Sequence, residues 1–191
     1  TTSRGVFFSM KRSATRLTRG PSRLKIGPSQ MHWNGAELVI DIDEVTAPFP
    51  SPLKGQVRVR PEALFDTAYP LDAAGRHHWC PIAPCARVEV AFDQPALRWS
   101  GSAYLDSNRG TRPLEDDFVR WDWSRARSPD GQTTVLYDVA RRTGEPFSLS
   151  LAFDPSGTVH PFDAPPHSPL PPSRWRIARG TRSDTGTTPR I

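Results

Sequence analysis

Cysteine is scarce in this chain of 191 residues, which contains only Cys80 and Cys85. Two cysteines separated by four residues do not make the disulfide framework of a small secreted domain. A metal site would need further ligands, and although His77 and His78 are near in sequence, HHWCPIAPC does not have a standard zinc-binding spacing. We therefore predict no metal site, and reduced, buried thiols in a cytoplasmic protein.

Long apolar runs and nucleotide-binding motifs are also missing. No stretch approaches the roughly 18 apolar residues of a membrane-spanning helix, and the N-terminal segment TTSRGVFFSMKRSATRL lacks the apolar core of a signal peptide. The sequence contains no GxSxG elbow, no GxGxxG turn and no Walker loop. These absences argue against an elbow-type serine hydrolase and against a dinucleotide or ATP cofactor, so we predict no cofactor.

Acidic residues are absent from the first 25 residues, which contain seven basic side chains. Residues 174–191 contain five arginines and one aspartate, so a mildly acidic body lies between two basic ends in a chain of net charge +5. Such ends are typical of segments that contact nucleic acid or an anionic membrane, and equally of solvated termini. Because no zinc-finger or RNP-like motif accompanies the charge, we predict no nucleic-acid partner and retain peripheral membrane contact as a hypothesis.

What the chain does contain is a series of short segments in which apolar and polar residues alternate, as in half-buried strands. Its 21 prolines fall largely between these segments, and Asn34-Gly35 and Asp130-Gly131 are typical turn signals. One helical turn is predicted over Leu114–Phe118, led by a proline. The pattern predicts an all-β fold, an antiparallel sandwich or barrel. The predicted strands are Ala36–Val45, Gln56–Arg60, Ala86–Phe92, Thr133–Ala140 and Phe147–Phe153.

Charge and proline content divide the chain into three predicted intervals. Residues 1–23 form a basic, poorly ordered segment, and residues 24–178 form the β region. Within that region, the proline-rich residues 155–172 are interpreted as a linker or a junction between barrels. Residues 179–191 are predicted to be a flexible tail.

The segment LRWSGSAYLD, residues 97–106, has two distinct faces if it is a strand. Tyr104 and Asp106 lie on one face together with Arg98, Ser100 and Ser102. Such a polar face is either exposed to solvent or lines a polar interior, as in a barrel lumen. The sequence alone leaves both alternatives open.

Indoles and carboxylates are concentrated just downstream. In an extended chain Val119, Trp121 and Trp123 share a face, which is either a core stripe or the wall of an apolar ligand cavity. Upstream, His77 and Trp79 share a face if that segment is also extended. An acid, a phenol, an imidazole and several indoles suit proton-driven chemistry on an apolar, electron-rich substrate. A carboxylic acid in an apolar pocket has a raised pKa and can act as a general acid, and aromatic faces stabilise a developing cation.

These segments resemble the carotenoid 1,2-hydratase (hydroxyneurosporene synthase) family. The resemblance covers roughly Leu24 to Trp175, and its most specific segment is GSAYLDSNRGTRPLEDDFVRWDWSRA, residues 101–126. It implies a lipocalin-like fold that is part of a two-barrel architecture. It also implies a cofactor-independent hydro-lyase of carotenoid biosynthesis in photosynthesis. Relative to the family, the chain is expected to be truncated at both ends.

The resemblance implies hydration of the terminal C1=C2 double bond of acyclic carotenoids, neurosporene or lycopene, to a tertiary alcohol. The family's His-x-Trp and Tyr-x-Asp motifs correspond to His77 and Trp79 and to Tyr104 and Asp106. Asp106 is the expected acid, Trp79 and Tyr104 flank the cation, and His77 orients water or takes its proton. The substrate-binding residues are expected to be Trp99, Trp121 and Trp123. The carboxylates at 115–117 are then interpreted as scaffold or cavity wall.

Two other functions fit the same apolar lining. One is a lipocalin-like carrier that binds apolar lipids without chemistry, and the other is an inactive fragment of an enzyme. Asp106 with His77 beside it would favour the enzyme over the carrier. Because a carotenoid is dissolved in a bilayer, we expect a cytoplasmic protein peripheral to the inner, photosynthetic membrane, with carotenoid and water as its partners.

Overall fold

The computed structural model describes residues 16–187 and 189, and nearly all regular structure in them is antiparallel β. The all-β prediction is therefore confirmed. The elements are β1 Leu17–Arg19, β2 Arg23–Ile26, β3 Ser29–Trp33, β4 Leu38–Val45, β5 Pro52–Pro61, β6 Tyr69–Pro70, β7 His77–Gln94, β8 Ala96–Gly110, α1 Leu114–Asp117, β9 Phe118–Arg127, β10 Thr133–Arg141, β11 Phe147–Phe153, β12 Val159–Pro161, β13 His167–Leu170 and β14 Arg179–Arg182.

The chain divides into two compact units, each of which is described by itself. The first comprises the described residues up to Tyr69, together with Trp79–Asn108 and Pro155–Gly157. The second comprises Pro70–His78, Arg109–Asp154 and the described residues from Thr158 onward. The predicted intervals 1–23, 24–178 and 179–191 remain predictions, and most of the first lies outside the described residues.

An eight-stranded sheet has the order β1-β2-β3-β4-β5-β7-β6, with β8 paired to β7. Its strands follow the predicted alternation, since Val57 and Val59 of β5 lie opposite Val90 and Val88 of β7. Val88 and Val90 are buried. Apolar side chains on one face of neighbouring strands thus form the core of the first unit.

Strand β7 is much longer than predicted, because it begins at His77 rather than at Ala86. The sequence HHWCPIAPC contains two prolines, which normally interrupt a strand because they lack a backbone N–H. Here the carbonyls of Ile82 and Cys85 accept hydrogen bonds from the backbone N–H groups of Phe65 and Glu62. The chain therefore stays extended through the prolines, and the predicted boundary at Ala86 was wrong.

A four-stranded sheet in the second unit has the order β12-β11-β10-β9. The predicted strands here are confirmed, with β10 at Thr133–Arg141 and β11 at Phe147–Phe153. Alternate residues of β10 are buried and form the core face of this sheet: Thr133, Val135, Tyr137 and Val139. Strand β9 is an edge of the sheet, and Trp121 and Trp123 lie opposite Val139 and Tyr137.

A β-bulge at Val119 corrects the predicted faces of β9. Arg120 pairs with Ala140 and Phe118 pairs with Arg141, so Val119 is an extra residue between them. The extra residue turns Phe118 to the core face, where it is 2% exposed, and leaves Val119 66% exposed. The prediction that Val119 shares the face of the indoles was therefore wrong, since simple alternation does not anticipate a bulge.

The helix α1 confirms the predicted helical turn but spans only Leu114–Asp117. No helix in the described part of the chain is long and apolar enough to cross a membrane. In the proline-rich C-terminal region, β13 and β14 form an antiparallel pair. The guanidinium of Arg182 in β14 donates two hydrogen bonds to the carboxylate of Asp138, both at 2.7 Å. The structure thus contains strands where the sequence predicted a linker and a flexible tail.

Gly55 offers a test of the β5–β7 pairing. A Cβ at this position would collide with the ring of Phe92 and lie 2.6 Å from the carbonyl oxygen of Ala91. We expect Gly55→Ala to destabilise the chain by about 2 kcal/mol or more, the usual cost of overpacking at a backbone contact. The midpoint of urea unfolding would measure this change.

The matched control is Gly20→Ala, because a Cβ at Gly20 would meet only the carbonyl oxygen of Arg23, at 3.8 Å. The control should unfold within about 0.5 kcal/mol of the parent chain. Equal effects of the two substitutions would contradict the pairing of Gly55 with Phe92.

Candidate active site

Trp79, Tyr104 and Asp106 form a hydrogen-bonded cluster in the first unit. The indole Nε1–H of Trp79 donates to Oδ2 of Asp106 at 2.8 Å, and the hydroxyl of Tyr104 donates to the same oxygen at 3.0 Å. The indole nitrogen is also 3.2 Å from the Tyr104 hydroxyl oxygen. Three of the four residues predicted to be catalytic are therefore in direct contact.

Local strand geometry explains this cluster. Tyr104 and Asp106 are two residues apart in β8, so their side chains lie on one face, as the alternation predicted. Trp79 comes from β7, which pairs with β8, and it is 0% exposed. The ring of Tyr69 packs on Trp79 with ring centres 5.6 Å apart, and burial raises the pKa of Tyr69. The aromatic surroundings hold the indole N–H in position against the carboxylate.

The two oxygens of Asp106 have different surroundings. Both hydrogen bonds go to Oδ2, and within the described part of the chain no hydrogen bond reaches Oδ1. Oδ1 is therefore the oxygen of Asp106 that the described residues leave to another partner.

His77, the fourth residue predicted to be catalytic, belongs to the second unit and is 2% exposed. Its Nε2 is 2.8 Å from Oδ2 of Asp117, and its backbone N–H donates to Oδ2 of Asp72 at 2.7 Å. The imidazole packs against the ring of Phe118, with centres 4.8 Å apart. The bulge at Val119, by turning Phe118 inward, is what supplies this packing partner.

Asp117 also receives a two-pronged contact from Arg76, whose Nε lies 3.0 Å from Oδ2 and whose second amino group lies against Oδ1. The hydrogen bonds from Arg76, foremost, and from His77 together lower the pKa of Asp117 to about 2, against the opposing effect of burial. Asp117 is therefore a carboxylate at neutral pH. The sequence predicted only that Asp117 is scaffold or cavity wall. The structure shows that its carboxylate contacts the ring of His77.

The backbone before His77 is shaped by Asp72. One of its carboxylate oxygens accepts hydrogen bonds from the backbone N–H groups of Ala74 and Arg76, and the other accepts from His77. Burial raises the pKa of Asp72, but these three backbone hydrogen bonds lower it to a net value below normal. A charged Asp72 thus closes the turn that leads into β7.

The three indoles predicted to bind substrate are all partly exposed: Trp99 by 50%, Trp121 by 46% and Trp123 by 42%. Trp99 belongs to the first unit, and Trp121 and Trp123 belong to the second. Trp123 lines an open cavity of about 420 Å³ whose other lining residues are mostly polar or charged, with Leu136 and Leu170 among the few apolar ones. Half-exposed indoles at a sheet edge present apolar surface to a ligand, while binding itself stays a prediction.

The sequence could not identify the partners of His77. Asp117 is 40 residues away from it in the chain, and Gly110, whose Cβ would lie 2.7 Å from Nδ1 of His77, belongs to neither the His-x-Trp nor the Tyr-x-Asp motif. Tyr69, which packs on Trp79, also belongs to neither motif. In residues 16–187 and 189, no group of three or more His, Cys, Asp or Glu side chains is arranged to hold a metal ion. His78 and Cys80 are half-buried and Cys85 is buried.

The low pKa of Asp117 predicts a pH-dependent contribution to stability. A folded pKa of about 2 lies below the ~3.9 of an unfolded aspartate, so the contribution is present above about pH 4 and is lost as the pH falls towards 2. We expect Asp117→Asn to lower the urea midpoint at neutral pH, and the difference from the parent to shrink below about pH 4.

Asp116→Asn is the matched control, because Asp116 is the neighbouring and exposed carboxylate. It should leave the urea midpoint close to that of the parent across the same pH series. A difference between Asp117→Asn and the parent that stayed constant down to pH ~2 would contradict the ionic contact with Arg76.

Comparison with known proteins identifies relatives over nearly the whole chain. An acyclic carotenoid 1,2-hydratase of Thiocapsa roseopersicina is 52% identical over 182 residues, covering 95% of this chain and 45% of that protein. One of Rubrivivax gelatinosus is 46% identical over 170 residues, covering 89% of this chain and 42% of that protein. One of Cereibacter sphaeroides is 38% identical over 187 residues, covering 97% of this chain and 66% of that protein.

The chain thus spans less than half the length of the first two relatives. No solved structure was found to match it. A sequence model of the family described as carotenoid hydratase CrtC matches residues 1–191, a longer span than the resemblance between Leu24 and Trp175 on which the prediction was based. The family resemblance found in the sequence is therefore confirmed, and the chain belongs to the carotenoid hydratase CrtC family.

Proposed function

We propose that this chain belongs to a hydro-lyase that adds water across the terminal C1=C2 double bond of an acyclic carotenoid, giving a tertiary alcohol without a cofactor. The names of the relatives support a carotenoid substrate. The observation that carries the proposal is that the two oxygens of Asp106 have different environments. Oδ2 accepts hydrogen bonds from Trp79 and Tyr104, which are neutral donors, whereas no described residue forms a hydrogen bond with Oδ1.

Asp106 is the proposed acid. It transfers the proton on Oδ1 to C2 of the terminal isoprene unit, and the π electrons of the double bond form the new C–H bond. The positive charge then resides on C1, a tertiary centre. The hydrogen bonds from Trp79 and Tyr104 stabilise the carboxylate that remains, because hydrogen bonds to an ion are stronger than those to a neutral group. The indole and phenol faces stabilise the cation.

His77 is the proposed partner of the water molecule. Water adds its oxygen to C1, and the imidazole takes the released proton or passes it on. Return of a proton to Asp106 restores the starting state, so the net change is addition of H to C2 and OH to C1. The buried position of His77 and its contact with Asp117 support this role, since both fix the orientation of the ring.

Neurosporene and lycopene are the proposed substrates, and Trp99, Trp121 and Trp123 are the proposed contacts for the polyene. Half-exposed indoles can cover an apolar chain while their polar edges remain hydrated. The basic residues near both ends support peripheral contact with an anionic membrane on the cytoplasmic side, where an apolar substrate would be delivered.

Asp106→Asn tests the acid. We expect hydrated product to fall by a hundredfold or more, within the 10²–10⁴-fold that general acid catalysis typically contributes. The full chain would be expressed in a lycopene-producing bacterium, and carotenoid masses would be read for one or two added waters.

Asp93→Asn is the matched control, because Asp93 is an exposed carboxylate in β7 whose salt bridge to Arg98 is loose, at 3.7 Å. It should hydrate lycopene at the parental rate. If Asp106→Asn also retained that rate, Asp106 would not be the acid. Carotenoid binding without hydration by the parent chain would instead favour the lipocalin-like carrier.

Trp121→Leu and Trp123→Leu test the substrate contacts. Loss of an indole surface should raise KM several-fold, on the order of 1 kcal/mol, with a smaller change in kcat. Trp175→Leu is the control, because Trp175 is 82% exposed and has no proposed contact. Equal KM values for the three variants and the parent, measured in detergent micelles containing lycopene, would rule out these contacts.

A further inference from the structure

The two ring nitrogens of His77 have different surroundings. Nε2 lies 2.8 Å from Oδ2 of Asp117, within ordinary hydrogen-bond distance. Among the residues that the structure describes, none forms a hydrogen bond with Nδ1. One nitrogen is thus engaged by the protein and the other is left for a different partner.

The chemistry of Asp117 determines which nitrogen carries the proton. A carboxylate has only acceptor oxygens, and Arg76 has only donor N–H groups. Arg76 contacts both oxygens of Asp117, which keeps that side chain ionised and oriented. Nε2 must therefore be the donor in its contact with Asp117, and in the neutral ring Nδ1 is then the acceptor.

Gly110 lies against the Nδ1 side of the His77 ring. A Cβ at position 110 would lie 2.7 Å from Nδ1 and 3.2 Å from Cε1 of His77, closer than an ordinary van der Waals contact. A larger side chain at 110 would therefore collide with the ring. With Nε2 engaged by Asp117, Nδ1 is the ring nitrogen that has no hydrogen bond from the described residues.

We infer that Asp117 is a positioning residue that holds His77 in the tautomer protonated on Nε2, so that Nδ1 is the nitrogen with which His77 orients and deprotonates water. This inference rests on the proposed function, in which His77 handles the water that adds to C1. It adds a residue from α1, forty positions downstream of the histidine, to those that control the reaction.

Asp117→Asn removes one of the two acceptor oxygens. Arg76 can only donate and contacts both oxygens of Asp117, and one of them, Oδ2, also faces Nε2 of His77. When the amide NH₂ group takes the position of Oδ2, Nε2 has to accept and the proton moves to Nδ1. When the amide oxygen takes that position, Nε2 still donates, so we expect both tautomers to be populated. The side chain keeps almost the same size, so the packing around His77 changes little.

Nitrogen NMR of the imidazole rings tests the tautomer directly. His77 would be assigned among the five histidines by comparison with His77→Gln. We expect a protonated Nε2 and an unprotonated Nδ1 in the parent chain and in Asp116→Asn, and the reverse or a mixture in Asp117→Asn. A parent with its proton on Nδ1, or an unchanged tautomer in Asp117→Asn, would overturn the inference.

Arg76→Gln provides a second variant in case Asp117→Asn unfolds. Asp117 is then still an acceptor, so His77 should keep its proton on Nε2 even though the carboxylate is less firmly held. Loss of that tautomer in Arg76→Gln would mean that Asp117 alone does not set it, and would overturn the inference. Circular dichroism would verify that each variant is folded.

Kinetics separate this inference from the proposed function. With lycopene as substrate, Asp117→Asn should lower kcat by about 10- to 100-fold with little change in KM, and Asp116→Asn should change neither. A parental kcat in Asp117→Asn would overturn the positioning role. If the parent chain did not hydrate lycopene, the proposed function would fail, while the NMR result would still decide whether Asp117 sets the tautomer.

Discussion

The pairing of β7 with its neighbours is the constraint on which the rest of the structure depends. This strand runs without interruption from His77 to Gln94, although it contains Pro81 and Pro84. Its hydrogen bonds to β5 and to the loop at Glu62 and Phe65 keep it extended. Because residues two apart in an extended strand share a face, His77 and Trp79 lie on the same side of β7, and both are buried.

Two aspartates in the chain have contrasting neighbours, which suit them to different tasks. Asp117 contacts a guanidinium that holds it as a carboxylate, so it can only accept hydrogen bonds and orient an imidazole. Asp106 contacts an indole and a phenol, which are neutral donors that leave one oxygen without a hydrogen bond from the described residues. In the proposed reaction Asp106 is the acid and Asp117 the orienting residue, and enzymes commonly divide such roles by giving similar groups separate environments.

Much of the fold could be predicted from alternation and turn residues. Strands β10 and β11 and the short helix were predicted almost to the residue, because nothing interrupts their patterns. The early start of β7 was missed, because prolines normally argue against a strand. The exchange of faces between Phe118 and Val119 was missed, because a bulge inserts one residue and reverses the alternation that precedes it. Each error arose where backbone geometry departs from a simple period.

The sequence by itself determined the all-β class, the family, and the pairing of Tyr104 with Asp106, since two residues spaced by two in a strand must share a face. Only the tertiary structure decided that Trp79 donates to Asp106, that Asp117 is the partner of His77 and that Gly110 lies against the imidazole ring. The two hydrogen bonds join residues that are 27 and 40 positions apart in the chain. Contacts at such separations depend on how strands and turns meet in space, and no local pattern of side chains encodes that meeting.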